Sequence, residues 1–268
     1  MEEIAKSRVD ELLQTQLSED KKLLDLENQS IGREELKLLA VNEDFASVEK
    51  LYLGENQLED DMIQALECPS ANLKSLYLNN NELGDEAARW LAQSDLVKSV
   101  QCLMLEGNNI GPAGARFLAE SENLQNLEEL FLDSNVIGPE GVAALADSPN
   151  FPKLEALHLD STKMRDAGAI ALAHSKTLTR LARLYLCSNG IGDAGALALA
   201  GSDNLKTLKV LSIWRNEIRD AGGQAIAESE TFANLERLYM SLNLIDRPVR
   251  KIIRGSALAR RLTTLVMD

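Results

Sequence analysis

Apolar positions along this chain alternate between two periods. In Leu73-Lys74-Ser75-Leu76-Tyr77-Leu78 the apolar side chains at 76 and 78 flank an outward residue, as in a strand with one buried face. In Ile191…Ala194…Leu197-Ala198 they return every three or four residues, as on a helix with one buried side. Turn and cap chemistry lies between the two. Gly192-Asp193, Gly111-Pro112 and Gly138-Pro139 each open a helix, and proline suits the first helical turn because the N–H it lacks would have no partner there.

The strand–helix pair recurs. The pattern that begins at Leu73 and ends Asn81-Glu82-Leu83-Gly84 returns from Val100, Leu127, Leu154, Leu181, Leu208 and Leu235, each 27 residues after the last. A 25-residue copy opens at Val48, a degenerate copy with Leu24, Leu26 and Ile31 opens at Lys21, and a partial copy starts at Leu262. Nine repeats plus a terminal strand are predicted over residues 21–268, preceded by one amphipathic capping helix over 1–20. Because strand and helix alternate, successive strands must run parallel with the helices on one side of the sheet. Strands pack about 4.8 Å apart and helices about 8–10 Å, so the stack must bend with its strands inside. The expected fold class is α/β: a solenoid shaped as a horseshoe, with a parallel β-sheet on the concave face and α-helices on the convex face.

An asparagine closes most strands: Asn56, Asn81, Asn108, Asn135, Asn189, Asn216 and Asn243. Its amide both donates and accepts, so it is expected to bind backbone where the chain leaves the sheet. The sixth copy departs, with Thr162 for Asn and Met164-Arg165 for Ile-Gly. This L-x-x-L-x-L-x-x-N-x-I-G pattern with an Ala-rich helix resembles the ribonuclease-inhibitor class of leucine-rich repeats. The tetrapeptide Gly195-Ala196-Leu197-Ala198 is similar to the repeat of the GALA effectors of plant-pathogenic bacteria. The resemblance implies a protein-binding scaffold. It also implies an alternative, a regulator that docks on a GTPase, nuclease or ubiquitin machinery, for example as a bacterial effector. Three cysteines and a steady period depart from ribonuclease inhibitors, and the near-identical, Ala-rich units point to a bacterial origin or a consensus-style design.

Net charge is −14, which disfavours nucleic acid, whose phosphates are neutralised by Lys and Arg, and favours a protein partner with a basic patch. The charge is polarised: residues 1–47 carry twelve acids and six bases, and residues 235–268 carry three acids and seven bases. Cys68, Cys102 and Cys187 have no disulfide spacing, and no stretch has the length and apolarity of a signal peptide or membrane span. A monomeric cytoplasmic protein is expected, or an effector secreted without a signal peptide.

Functional information is expected on the concave sheet. The residue between the two leucines of each strand faces outward, and the column contains Tyr52, Tyr77, Met104, Phe131, His158, Tyr185 and Tyr239, all four tyrosines of the chain among them. The next outward column places Glu106, Asp133 and Asp160 side by side, with Glu129 on the preceding one, and nothing in folding is seen to require these like charges. Arg183, Trp214, Arg215 and Arg237 follow toward the C-terminal end, and Tyr, Trp and Arg are enriched where interfaces concentrate binding energy. These fifteen residues are the expected partner-binding set. His158, Asp160, Asp133 and Cys187 stand near one another, but an open sheet supplies no enclosed pocket. No enzymatic activity, catalytic residue, metal or cofactor is expected.

Overall fold

A computed structural model describes residues 2–68 and 72–268. Ten three-residue strands form one parallel sheet in chain order: β1 (Leu23–Asp25), β2 (Lys50–Tyr52), β3 (Ser75–Tyr77), β4 (Cys102–Met104), β5 (Glu129–Phe131), β6 (Ala156–His158), β7 (Arg183–Tyr185), β8 (Val210–Ser212), β9 (Arg237–Tyr239) and β10 (Thr264–Val266). The helices between them lie on the other side: α1 (Glu2–Gln16), α2 (Arg33–Ala40), α3 (Asp60–Ile63), α4 (Asp85–Gln93), α5 (Pro112–Ala119), α6 (Gly138–Asp147), α7 (Arg165–His174), α8 (Asp193–Ala200), α9 (Asp220–Glu228), α10 (Arg247–Gly255) and α11 (Ala257–Arg261). The molecule is an α/β solenoid with its sheet on the concave face and its helices on the convex face. The 25-residue unit that opens at Val48 has only the four-residue α3.

The core is a leucine stack running the length of the sheet. Leu51, Leu76, Leu103, Leu130, Leu157, Leu184, Leu211 and Leu238 are each 0% exposed and pair in register from strand to strand. Each unit buries these side chains mainly against its neighbours, so the units support one another. Helix α1 packs on α2, and its Val9 and Leu12 join the same core.

Three side-chain ladders stitch unit to unit. In the first, the asparagine amide donates to carbonyls of its own unit and the unit before, while its oxygen accepts backbone N–H groups of the unit before. Asn56 Nδ2 donates to Leu26 and Leu53, and its Oδ1 accepts from Gln29 and Ile31. Thr162 breaks the pattern: its single hydroxyl proton is shared between Leu159 O at 2.9 Å and Asn189 Oδ1 at 3.0 Å.

The second ladder is aspartate at the helix start. Asp85 Oδ1 accepts from Gly111 and Gly114 N–H, Asp166 Oδ1 from Gly192 and Gly195, and Asp193 Oδ1 from Arg219 and Gly222. Each carboxylate thus satisfies the exposed amides that open the helix of the next unit, where negative charge also suits the helix dipole. The third is serine past the helix end, where Ser121, Ser148, Ser175 and Ser202 donate to Ala92, Ala119, Ala146 and Ala173 carbonyls one unit back.

Candidate functional site

Strand register sets the concave face. Asp25, Tyr52, Tyr77, Met104, Phe131, His158, Tyr185, Ser212, Tyr239 and Val266 stand opposite one another across successive strands. The rings stack as the strands bring them together. Tyr52 and Tyr77 lie with centroids 4.2 Å apart and planes 2° from parallel. His158 is sandwiched, 4.0 Å from Phe131 and 4.1 Å from Tyr185. Tyr52, Tyr77, Met104, Phe131, Tyr185 and Tyr239 are all half-buried, so each keeps part of its side chain in solvent. Ser212 interrupts the ridge and is only 6% exposed, with its hydroxyl 3.0 Å from Cys187 Sγ.

The acidic centre is more embedded than the sequence suggests. Asp133 Oδ1 accepts from Asp160 N–H at 2.6 Å, and Asp160 Oδ1 accepts from Cys187 N–H at 2.6 Å. These two carboxylates therefore have a folding task, tying each unit to the next. That corrects the expectation that nothing in folding requires them. Glu106 is half-buried beside them, and Glu129 forms an ion pair with Arg183 across two strand spacings.

Burial dominates the electrostatics. It lifts the Asp133 carboxyl to about 7, with the neighbouring Asp160 and Glu106 charges adding to the rise. Asp160 is raised for the same first reason. Burial, then the Arg183 charge, pushes His158 down to about 4, although its Nδ1 lies 3.9 Å from Asp133 Oδ2. Tyr77 is pushed up to about 12, and the Cys102 and Cys187 thiols to about 11, by burial in each case. The two thiols and the Tyr77 hydroxyl are therefore held protonated near pH 7, a poor arrangement for a nucleophile. Among the described residues no cluster of three or more His, Cys, Asp or Glu could hold a metal ion.

The C-terminal part of the expected set divides. Arg183 and Arg237 flank Val210 in register on β7, β8 and β9, and both charges reach the Tyr185 hydroxyl. Trp214 is 39% exposed on the column that also holds Asp133, Asp160 and Cys187. Arg215 does not point into the sheet columns. It sits where the chain leaves the strand, at φ +55, in a shallow depression lined by Ser161, Ser188, Gly190, Asn216 and Glu217. On the convex side, a groove between α9 and α10–α11 is lined by Gln224, Glu228, Ile252, Leu258 and Arg261. Among the described residues, no helix is long and apolar enough to cross a membrane.

No curated protein sequence matches the chain. Among solved structures similar to it is internalin C2 of Listeria monocytogenes str. 4b F2365, with 21% identity and a TM-score of 0.48 over 78% of this chain and 76% of that one. A family model described as Leucine Rich repeat matches residues 70–92, 98–119, 123–146, 152–173, 174–200 and 204–227, together more than half of the sequence. The strand–helix units, their ladders and this match agree: the chain belongs to the leucine-rich-repeat family.

Proposed function

We propose that this protein is a binding scaffold of the ribonuclease-inhibitor subtype that holds a protein partner against its concave face and performs no chemistry of its own. Residues 1–20 act as a cap, and 21–268 act as one repeat domain. The observation that carries the reading is the ring column. Aromatic side chains stack along an open sheet face and keep part of their surface in solvent, where the leucine core gains nothing from them. A partner that covers the column buries that surface, and aromatic anchors are where interfaces concentrate their energy. Glu106, with Asp160 and the charge-paired Glu129, favours a basic segment opposite the middle of the sheet. The free thiols Cys102 and Cys187 suit a reducing compartment such as the cytosol.

The test compares two variants with the wild type in capture and affinity measurements on lysate of the source cell. Tyr77→Ala with Phe131→Ala alters the concave ridge; Gln93→Ala with His174→Ala and Glu228→Ala alters the helical side. The concave variant should lose binding by roughly thirtyfold or more per anchor, the equivalent of about 2 kcal/mol each. The convex variant should bind as the wild type does. Unchanged binding by the concave variant, with loss in the convex one, would move the functional face to the helices.

A further inference from the structure

Where the chain leaves each strand, one residue adopts a left-handed backbone or lies next to one that does, and the repeat fills these places with small or polar side chains. Asn80, Ser134, Ser161 and Ser188 have φ between 54° and 59°, and Gly107 has φ 65°. The equivalent residue one unit further from Arg215 is Leu242, at φ +53 and 55% exposed. A leucine gains nothing for folding in such a place: the backbone disfavours its Cβ and water surrounds its side chain. Two residues on, Leu244 is 49% exposed where other units carry Glu82, Asn109, Lys163, Gly190 and Glu217, and one carries Val136, itself 54% exposed but with Ser134 rather than a leucine two residues before it.

Backbone hydrogen bonds bring these leucines into one patch with Trp214. Arg215 N–H donates to Ser241 O at 2.9 Å, which sets Trp214 and Arg215 beside Leu242. Leu244 N–H donates to Ile218 O at 2.8 Å, which sets Leu244 beside Arg219. Three residues with large exposed apolar side chains therefore lie on adjoining backbone segments at the rim where the concave face turns onto the strand-exit edge. The surrounding segments, 214–219 and 241–251, carry five bases (Arg215, Arg219, Arg247, Arg250 and Lys251) against two acids, Glu217 and Asp246, in a chain of net charge −14. Arg250 donates to the main-chain oxygen of Asp268, and among the described residues none of the other four bases is in an ion pair.

We infer that this rim docks an acidic amphipathic peptide segment of the partner, its leucine-like side chains on Trp214, Leu242 and Leu244 and its carboxylates on Arg215 and Arg219. The inference rests on the scaffold reading and extends it: the basic segment of the partner meets the middle of the sheet, and the acidic one meets the rim. Apolar contacts supply the desolvated centre of the site, and the arginines supply its charged border.

The probe is a labelled peptide, acetyl-Glu-Leu-Asp-Glu-Leu-Leu-Glu-amide, followed by fluorescence anisotropy and by backbone amide shifts of the full chain. Two control peptides replace its acids by lysine or its leucines by serine. Wild type should bind the acidic peptide, more weakly as salt rises, with shifts confined to residues around 214–219 and 241–247, and both control peptides should bind at least tenfold less. Leu242→Ser with Leu244→Ser should weaken the acidic peptide at least tenfold and leave Tm unchanged or higher, since small or polar side chains are what other units place there. Arg215→Ser with Arg219→Ser should weaken it and flatten its salt dependence. No binding by wild type, equal binding of the lysine peptide, unchanged binding by the double-serine variant, or a clear fall in its Tm would each overturn the proposal. Tyr77→Ala with Phe131→Ala should not alter peptide binding. If the peptide fails while that variant still loses its protein partner, the rim is wrong and the concave reading stands; the reverse pattern removes the concave reading and leaves the rim.

Discussion

Side chains that look alike in the repeat have different tasks once their partners are known. Asn135 is fully buried, and every ladder asparagine exchanges bonds with the unit before it, which the spacing of polar residues already implies. Asp133 is the less obvious case. Its folded carboxyl titrates near 7 because it is buried, whereas in the unfolded chain it ionises near its ordinary value of 3.8. Between those two pH values the unfolded state has lost the proton and the folded state keeps it, so stability falls as pH rises from about 4 to about 7 and is level beyond. Asp133→Asn retains an oxygen for the Asp160 N–H and removes the ionisation. The variant should match wild type near pH 4 and be more stable by roughly 2–4 kcal/mol at pH 8. His158 works in the opposite direction, gaining stability as pH rises from 4 to 6.5, but it is present in both proteins and cancels in the difference. Urea unfolding from pH 4 to 8 checks this; parallel curves for the two proteins would show that Asp133 ionises as freely folded as unfolded.

Among the elements, the glycine inside the Asp-Ala-Gly-Ala helix start is the informative residue. A Cβ on Gly195 would lie 2.7 Å from Ile191 Cγ2, 2.8 Å from Asp166 Oδ1 and 3.0 Å from Ala169 Cβ. Gly114 and Gly222 meet the same combination of isoleucine, aspartate and alanine. The glycine is there to admit the aspartate of the preceding unit, not to bend the helix. Alanine is the better helix former by about 1 kcal/mol, yet Gly195→Ala should destabilise by about 1–3 kcal/mol, because the core must shift to accept the methyl group. A Cβ on Gly255, at the end of α10, would meet nothing within 4 Å, so Gly255→Ala should be neutral or slightly stabilising. Thermal denaturation of both variants separates the two explanations. A stabilised Gly195→Ala protein would mean that the aspartate ladder is slack.

For the molecule as a whole, stability is distributed, since each unit leans on its neighbours more than on any central core. A chain beginning at residue 48 would lose α1, β1 and α2 and expose Leu51, Leu53 and Leu58, each 0% exposed in the intact protein. It should aggregate or melt in stages from that edge, with α9 to β10 unfolding last. Sedimentation and urea unfolding followed at Trp90 and Trp214, which sit toward opposite ends, check this. A soluble monomer with one cooperative transition would mean that residues 1–47 do not serve as a cap.

The repeat itself determined a great deal. Strand period, parallel stacking, the leucine core, the asparagine ladder and the outward tyrosine column all follow from local spacing repeated at 27 residues, because a one-dimensional stack places like positions side by side. The helix follows too, but not its buried face: Ala194 and Leu197, expected inside with Ile191 and Ala198, are exposed, and Gly195, Ala196, Leu199 and Ala200 are buried against the neighbouring units. Bonds between unlike positions of adjacent units were decided by tertiary structure alone. Asp85, Asp166 and Asp193 look like caps for their own helices but accept from amides 26 and 29 residues onward. Asp133 and Asp160 look like surplus charge but hold the next strand's backbone. Leu242 left a signal in the sequence, an apolar letter in a small or polar column, and Leu244 a weaker one, since Val136 shares its column; an exposed leucine is ordinary until its neighbours are known. It was the hydrogen bonds from Arg215 to Ser241 and from Leu244 to Ile218 that joined them to Trp214, because contact across units depends on where the backbone turns out of the sheet, which the period does not specify.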